Sequence, residues 1–200
     1  MAGPSHSLIM RAILRYVKAT EERPLPVITA STSVIMASGD VLMQTIEYFQ
    51  AKQKASQHGL PAPNLRYDGR RVLNMSIYGL GFGLFAAKWY TAWLPRLIGN
   101  RSKSKLRIVC EKVMFDEFIQ SPFYYLSFLP GMTMLSGGSI NDAVQKTKKD
   151  FFRLLISDWI VWPPIQFLNF WFVPNHMQAF VVSSVSVFWA AYLSYVQNDG

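Results

Sequence analysis

The 200-residue chain is half hydrophobic and only 16% charged, where an ordinary soluble protein carries about 25% charged residues. Its mean hydropathy is +0.15, and 20 Lys and Arg against 12 Asp and Glu leave a net charge of +8. These values exclude a disordered chain and fit poorly with a soluble enzyme, because the few charges come in clusters between long uncharged stretches, as in membrane proteins. The single cysteine, Cys110, allows no internal disulfide. His6, His58 and His176 are scattered and supply no metal-ligand spacing, so neither metal nor cofactor is expected. The basic residues lie between apolar runs and share no predicted face, so no nucleic-acid partner is expected.

Residues 1–26 are expected to form an amphipathic helix and a linker. Leu8, Ile9, Ala12, Ile13, Tyr16 and Val17 fall on one face, with Arg11, Arg15 and Lys18 on the other. With no acid before Glu21, the segment suits an interfacial helix on anionic lipid or a transit-type segment. The helical periodicity of the remainder, residues 27–200, predicts one membrane domain.

A first span is expected from Val27 to Phe49, after Pro24 and Pro26. Thr29, Ser33, Ala37, Asp40, Gln44 and Glu47 form a polar or small stripe along it at helical spacing. A basic, proline-containing loop over 50–71 follows, then a second span from Val72 to Leu94. Gly79, Gly81 and Gly83 do not complete a phosphate-binding G-x-G-x-x-G pattern, because Leu84 stands at its end. Gly79 and Gly83 instead make a small-residue pair suited to close helix packing. Trp89, Tyr90 and Trp93 suit an interfacial aromatic belt.

The segment Arg96–Lys112 carries six basic residues. A third span is expected from Val113 to Leu135, with Asp116, Gln120, Tyr124 and Ser127 as a second polar stripe. Gly137-Gly138 ends it, and Ser139–Arg153 reads as a short surface helix. From Trp159 to Asn198 there is no Asp, Glu, Lys or Arg over forty residues, about the length of two crossings. Trp162-Pro163-Pro164 demands a kink or a start, and Val173-Pro174-Asn175-His176 favours a turn. The architecture expected is all-α, a multispanning helical bundle with four segments and a fifth that either spans or stays half-embedded. Lys and Arg divide almost equally between alternate sides, so charge assigns no orientation.

The run Trp159-Ile160-Val161-Trp162-Pro163-Pro164-Ile165-Gln166-Phe167-Leu168-Asn169-Phe170, followed by Val173-Pro174, resembles the signature of the 22-kDa peroxisomal membrane protein family, also called the Mpv family. The resemblance extends to Gly39-Asp40 with Gln44, to Asp68-x-x-Arg71, to Trp89-Tyr90, to Asp116 with Pro122, and to Trp189-x-x-Tyr192-Leu193-Ser194. It departs at Leu84 and Ala87, where the family carries Pro and His, at Glu117 in place of Gln, and at Gln178 in place of Arg. The resemblance implies a small multispanning protein of the mitochondrial inner membrane, or alternatively of the peroxisomal membrane. It also implies a role in forming or regulating a channel for small solutes, and no enzymatic reaction.

Asp40 is costly at mid-bilayer and must face the bundle interior or water. It either lines a pore with Thr29, Ser33 and Gln44, or forms a polar clasp with Gln44, another helix or a basic residue such as Lys88. Asp116, Glu117 and Asp158 are expected near span ends, within reach of water or headgroups. Gln166 and Asn169 share a face beside Trp162-Pro163-Pro164, where they line a cavity or merely satisfy a kinked backbone. Basic loops at Arg70, Arg71, Arg101, Lys103 and Lys105 suggest small polar or anionic solutes. The bilayer is the expected partner, with a homo-oligomer as a candidate assembly. A channel is the leading expectation, and the alternative is a non-conducting scaffold or assembly factor. No nucleophile–base pair or paired catalytic carboxylate supports an enzyme.

Overall fold

The computed structural model describes residues 8–99, 104–173 and 175–198, without the side chains of Ile9 and residues 175–180. Every regular element among the described residues is helical. Helix α1 runs over Leu8–Glu22 and turns Val17, Tyr16 and Ile13 inward while Arg11, Arg15 and Lys18 stay exposed. Helix α2, Pro24–Gln57, begins at the prolines instead of after them. Proline suits the first turn, where its missing N–H has no intrahelical partner to lose. At its other end α2 absorbs the first residues of the expected loop, continuing past Phe49 to Gln57.

Asp68 caps helix α3, Gly69–Lys88, by accepting from the backbone N–H of Arg70 at 2.9 Å and Arg71 at 3.1 Å. A π-helical turn, Trp89–Trp93, joins α3 to the short helix α4, Leu94–Ile98. A second π-helical turn, Asp116–Gln120, joins α5, Lys105–Phe115, to α6, Ser121–Leu135. Gly137, at φ +94°, ends α6, and the Gly138 N–H returns to the Thr133 carbonyl at 2.9 Å. The left-handed backbone at Gly137 penalises any residue with a Cβ.

The expected surface helix at 139–153 is not separate. Helix α7 runs unbroken over Ile140–Phe172, starting from a capping box between Ser139 and Asp142 and passing through Pro163-Pro164. Those prolines leave the carbonyls of Trp159 and Ile160 without their intrahelical donors. Helix α8, Asn175–Asn198, follows the break at Val173. Pro174 lies outside the described residues, as do Arg101 and Lys103 and the side chain of Gln178.

Helix α2 packs along both α3 and α8, and α6 packs along α7. Gly79 and Gly83 bring α3 against α2: a Cβ on Gly79 would stand 2.7 Å from Ser33 Cα, and one on Gly83 would stand 2.7 Å from Thr29 Cα. Gly39 does the same for α2 and α8, where a Cβ would meet the Ala191 backbone nitrogen at 2.7 Å. The apolar core lies where α2, α3, α6, α7 and α8 converge, around Met36, Met75, Tyr125, Phe128, Leu154 and Leu193.

Polarity in this bundle is turned inside out. Asp40, Asn74, Asp116, Glu117, Asp158, Gln166 and Asn169 are buried, whereas Val34, Leu80, Leu84, Phe123, Leu126, Ile160 and Phe188 lie on the outside. An aqueous solvent drives the reverse sorting, and an apolar exterior over buried polar groups is what hydrocarbon favours. Among the described helices, α2 alone is both long and apolar enough to cross a bilayer on its own composition.

Candidate functional site

The sequence-predicted polar residues fall into two places. The first is a clasp. The Arg71 guanidinium donates from Nε to Asp40 Oδ1 at 2.6 Å, and from both terminal nitrogens to the Glu47 carboxylate at 2.9 and 3.0 Å. It also donates to Ser194 Oγ at 2.8 Å, and the Ser194 hydroxyl donates to Asp40. Gln44 donates to Asp40 Oδ2 at 2.8 Å and accepts from the Asp68 backbone N–H at 2.7 Å. Asp40 is thereby fully buried with its charge paired and its oxygens bonded, which is what tolerates a carboxylate away from water.

The basic partner of Asp40 is Arg71 and not Lys88. Arg71 is correspondingly no part of a basic rim. Lys105 also points away from that role, donating to the Trp171 carbonyl at 2.9 Å. Ser33 donates to the Ser76 carbonyl at 2.9 Å, and Thr29 packs on Gly83, so the α2 stripe is spent on helix contacts. The clasp also shows why Gly39-Asp40, Gln44, Asp68-x-x-Arg71 and Ser194 occur together: they form one network across α2, α3 and α8.

The second place is a cavity of about 440 Å³, within the range of small-ligand sites. Asp116, Gln120, Gln166 and Asn169 line it, together with Glu117 and Asp158. Those last two and Asp116 were expected near water-reaching span ends. They are instead 3–4% exposed, because the π-helical turn swings Asp116 and Glu117 inward and α7 brings Asp158 against α6. Trp89 Nε1 donates to Asp116 Oδ1 at 2.7 Å, linking the two π-helical turns. The Tyr125 hydroxyl donates to Asp158, and Trp159 Nε1 donates to the Glu117 carbonyl at 3.0 Å. π-Helical turns inside α-helices recur at functional sites.

Aromatic rings wall the cavity. Trp162 meets Trp189 edge to face at a centroid distance of 6.1 Å, and Tyr90, Tyr124 and Phe170 add further faces. Met36, Tyr125, Ala190 and Leu193 of the apolar core form part of the lining, and Asp40 follows Met36 by one helical turn. An apolar plug therefore separates the cavity from the clasp. On another side Tyr16 and Thr20 of α1 contribute, with the Tyr16 hydroxyl 3.5 Å from Ser183 Oγ of α8.

A signal for Asp158 was present in the sequence. Asp158, Trp162, Gln166 and Asn169 are spaced four, four and three, a single helical face of α7. The convergence of that face on Asp116 and Glu117 is tertiary and leaves no local trace.

The model of the Mpv17 / PMP22 family matches residues 133–194, which cover α7 and most of α8. The chain is 32% identical over 181 residues to the mitochondrial inner membrane protein Mpv17 of Bos taurus, covering 90% of this chain and 94% of that one. It is 28% identical over 188 residues to Protein SYM1 of Eremothecium gossypii, covering 93% and 96%. It is also 27% identical over 186 residues to PXMP2/4 family protein 2 of Dictyostelium discoideum, covering 92% and 90%. No solved structure matches the chain. Relatives named for a location are proteins of the mitochondrial inner membrane, and that membrane is where this chain resides. With a near-full-length relationship above 30% identity, the chain belongs to the Mpv17/PMP22 family.

Proposed function

We propose that this membrane protein is a gated conduit for small solutes, with the α2–α6–α7–α8 cavity as its vestibule. The observation that carries the reading is the cavity itself: about 440 Å³ of space lined by buried carboxyls and amides within a bundle whose outer surface is apolar. Polar residues held inside a membrane bundle are expensive and concentrate along solute pathways. In this reading α2, α3, the continuous α5–α6 rod, α7 and α8 cross the bilayer, and α1 lies at the interface beside the opening. The protein moves solutes and performs no covalent chemistry on them.

The plug of Met36, Tyr125 and Leu193 is the gate, since an apolar constriction stops water and solutes by dewetting. Planar-bilayer recording of the purified protein tests the proposal. Leu193→Ala, which removes side-chain volume from the plug, should raise open probability several-fold over the parent. A bilayer that stays silent with well-folded parent and variant rejects the conduit and leaves the non-conducting assembly factor as the function.

A further inference from the structure

We infer that the cavity is a binding site for a small organic cation bearing several N–H donors, and that such cations are the solutes it selects. The inference deepens the conduit reading and rests on it for its physiological meaning, while the binding site is tested separately. Three carboxyls that line the cavity, Asp116, Glu117 and Asp158, are buried beside the amide Oε1 of Gln166, an acceptor without a donor on a side chain only 5% exposed. A buried acceptor without a donor is costly, and buried carboxyls seek a cation, so the four groups around one space make a preformed receptor for charged N–H donors. The protein's own donors to these carboxyls are neutral, from Trp89, Tyr90, Ser121 and Tyr125, and no Lys or Arg is among the described residues that line the cavity. Lys112 acts on Asp116 from one helical turn away. Its ammonium, however, stands 5.0 Å from the Phe170 ring centroid, and it lines a neighbouring cleft.

Three further observations narrow the class. The Glu117 and Asp158 carboxyls lie within hydrogen-bonding reach of each other, so one ammonium placed there donates to both. The Trp162 and Trp189 rings beside them offer π faces, which attract cations when desolvated. Among the described residues no three of His, Cys, Asp or Glu converge closely enough to hold a metal ion. Because the acidic groups do not converge on one point, an organic molecule with donors at separate points suits them better than a point charge. The anionic solutes suggested by the basic loops would meet repulsion from these carboxyls.

Titration of the purified full chain in detergent, followed by tryptophan fluorescence and calorimetry, tests the site with four probes of similar length: putrescine, n-butylamine, 1,4-butanediol and succinate. The two amines should bind saturably and the diol and succinate should not. Glu117→Gln and Asp158→Asn keep the shape of the side chain, and each should weaken putrescine about tenfold or more, as expected for loss of one charge-assisted contact. Asp142→Asn, on the exposed first turn of α7, should leave the affinity unchanged. Equal or tighter binding of succinate or butanediol overturns the inference, and so does putrescine affinity indifferent to both cavity variants. The four-probe comparison on the parent protein decides the matter even if a variant fails to fold. A bilayer that conducts while no amine binds overturns the cation site and leaves the conduit. Amine binding with a silent bilayer keeps the site and removes the conduit.

Discussion

At the residue scale the Asp40–Arg71 pair shows how a carboxylate is held inside the bundle. Asp40 receives the Arg71 guanidinium, the Gln44 amide and the Ser194 hydroxyl, so no oxygen is left to seek water. Removing one partner of such a pair strands the other, at a cost of about 3 kcal/mol or more. Arg71→Met and Asp40→Asn should therefore each lower the unfolding midpoint in detergent substantially. In a double-mutant cycle the combined variant should lose less than the sum of the two, since neither charge is then abandoned. Additive losses would show that the pair is not coupled. The carboxyls of the cavity differ from Asp40 in kind: Lys112 acts on Asp116 from a neighbouring cleft, and no Lys or Arg is among the described residues that line the cavity, so their charge is left for a ligand.

At the level of elements, close approach and capping set the bundle geometry. Gly83 sits against Thr29 with its missing Cβ only 3.1 Å from the Thr29 carbonyl oxygen. Gly83→Leu forces α3 away from α2 along their whole contact, and overpacking on this scale costs roughly 2 kcal/mol. A lower melting temperature or an altered oligomer size in detergent should follow, and parent-like values for both would show that the contact is slack. At the start of α7, Ser139 donates to Asp142 from its backbone N–H at 2.8 Å and from its hydroxyl at 2.7 Å. These bonds hold the Asp142 carboxyl below its ordinary range. A depressed carboxyl stabilises the fold above its unfolded value, and the contribution is lost as pH falls through the lower folded value. The loss lies below about pH 4. Asp142→Asn should accordingly flatten the acid limb of the stability profile and change little at neutral pH. An unchanged acid limb would rule out the cap as a contributor.

For the whole molecule, the decisive property is the inverted distribution of polarity. Leu126 stands 54% exposed on α6 while Asp158 on the packed α7 is 3% exposed. In water that arrangement would expose the hydrophobic groups and bury the costly ones. In hydrocarbon both placements are favourable. Alkaline carbonate should leave the protein in the membrane pellet. Leu126→Arg should add about 2.5–3.5 kcal/mol to membrane insertion and reduce the membrane-integrated fraction, whereas a surface leucine of a soluble protein would tolerate the change. Unaltered integration of Leu126→Arg would place that face of α6 outside the lipid.

Composition and periodicity alone determined that the chain is helical and membrane-embedded, that polar stripes run along α2 and α6, and that Gly79 and Gly83 share a contact face. These are local properties, because a helix repeats every 3.6 residues and its faces can be read from spacing. The motif Trp162-Pro163-Pro164 with Gln166 and Asn169 likewise identified the family from the chain itself. Only the tertiary structure decided what each stripe meets. Asp40 lies against Arg71 from 31 residues further on, and Ser194 joins them from 154 residues further on. Asp158 shares its cavity with Asp116 and Glu117 because two π-helical turns change the phase of α3 and of the α5–α6 rod. Such a turn inserts no residue signature, and the pairing of distant faces depends on packing over the whole bundle. The α2 stripe, the more polar of the two in sequence, was therefore consumed by helix contacts, while carboxyls from the second π-helical turn and from α7 surround the open space.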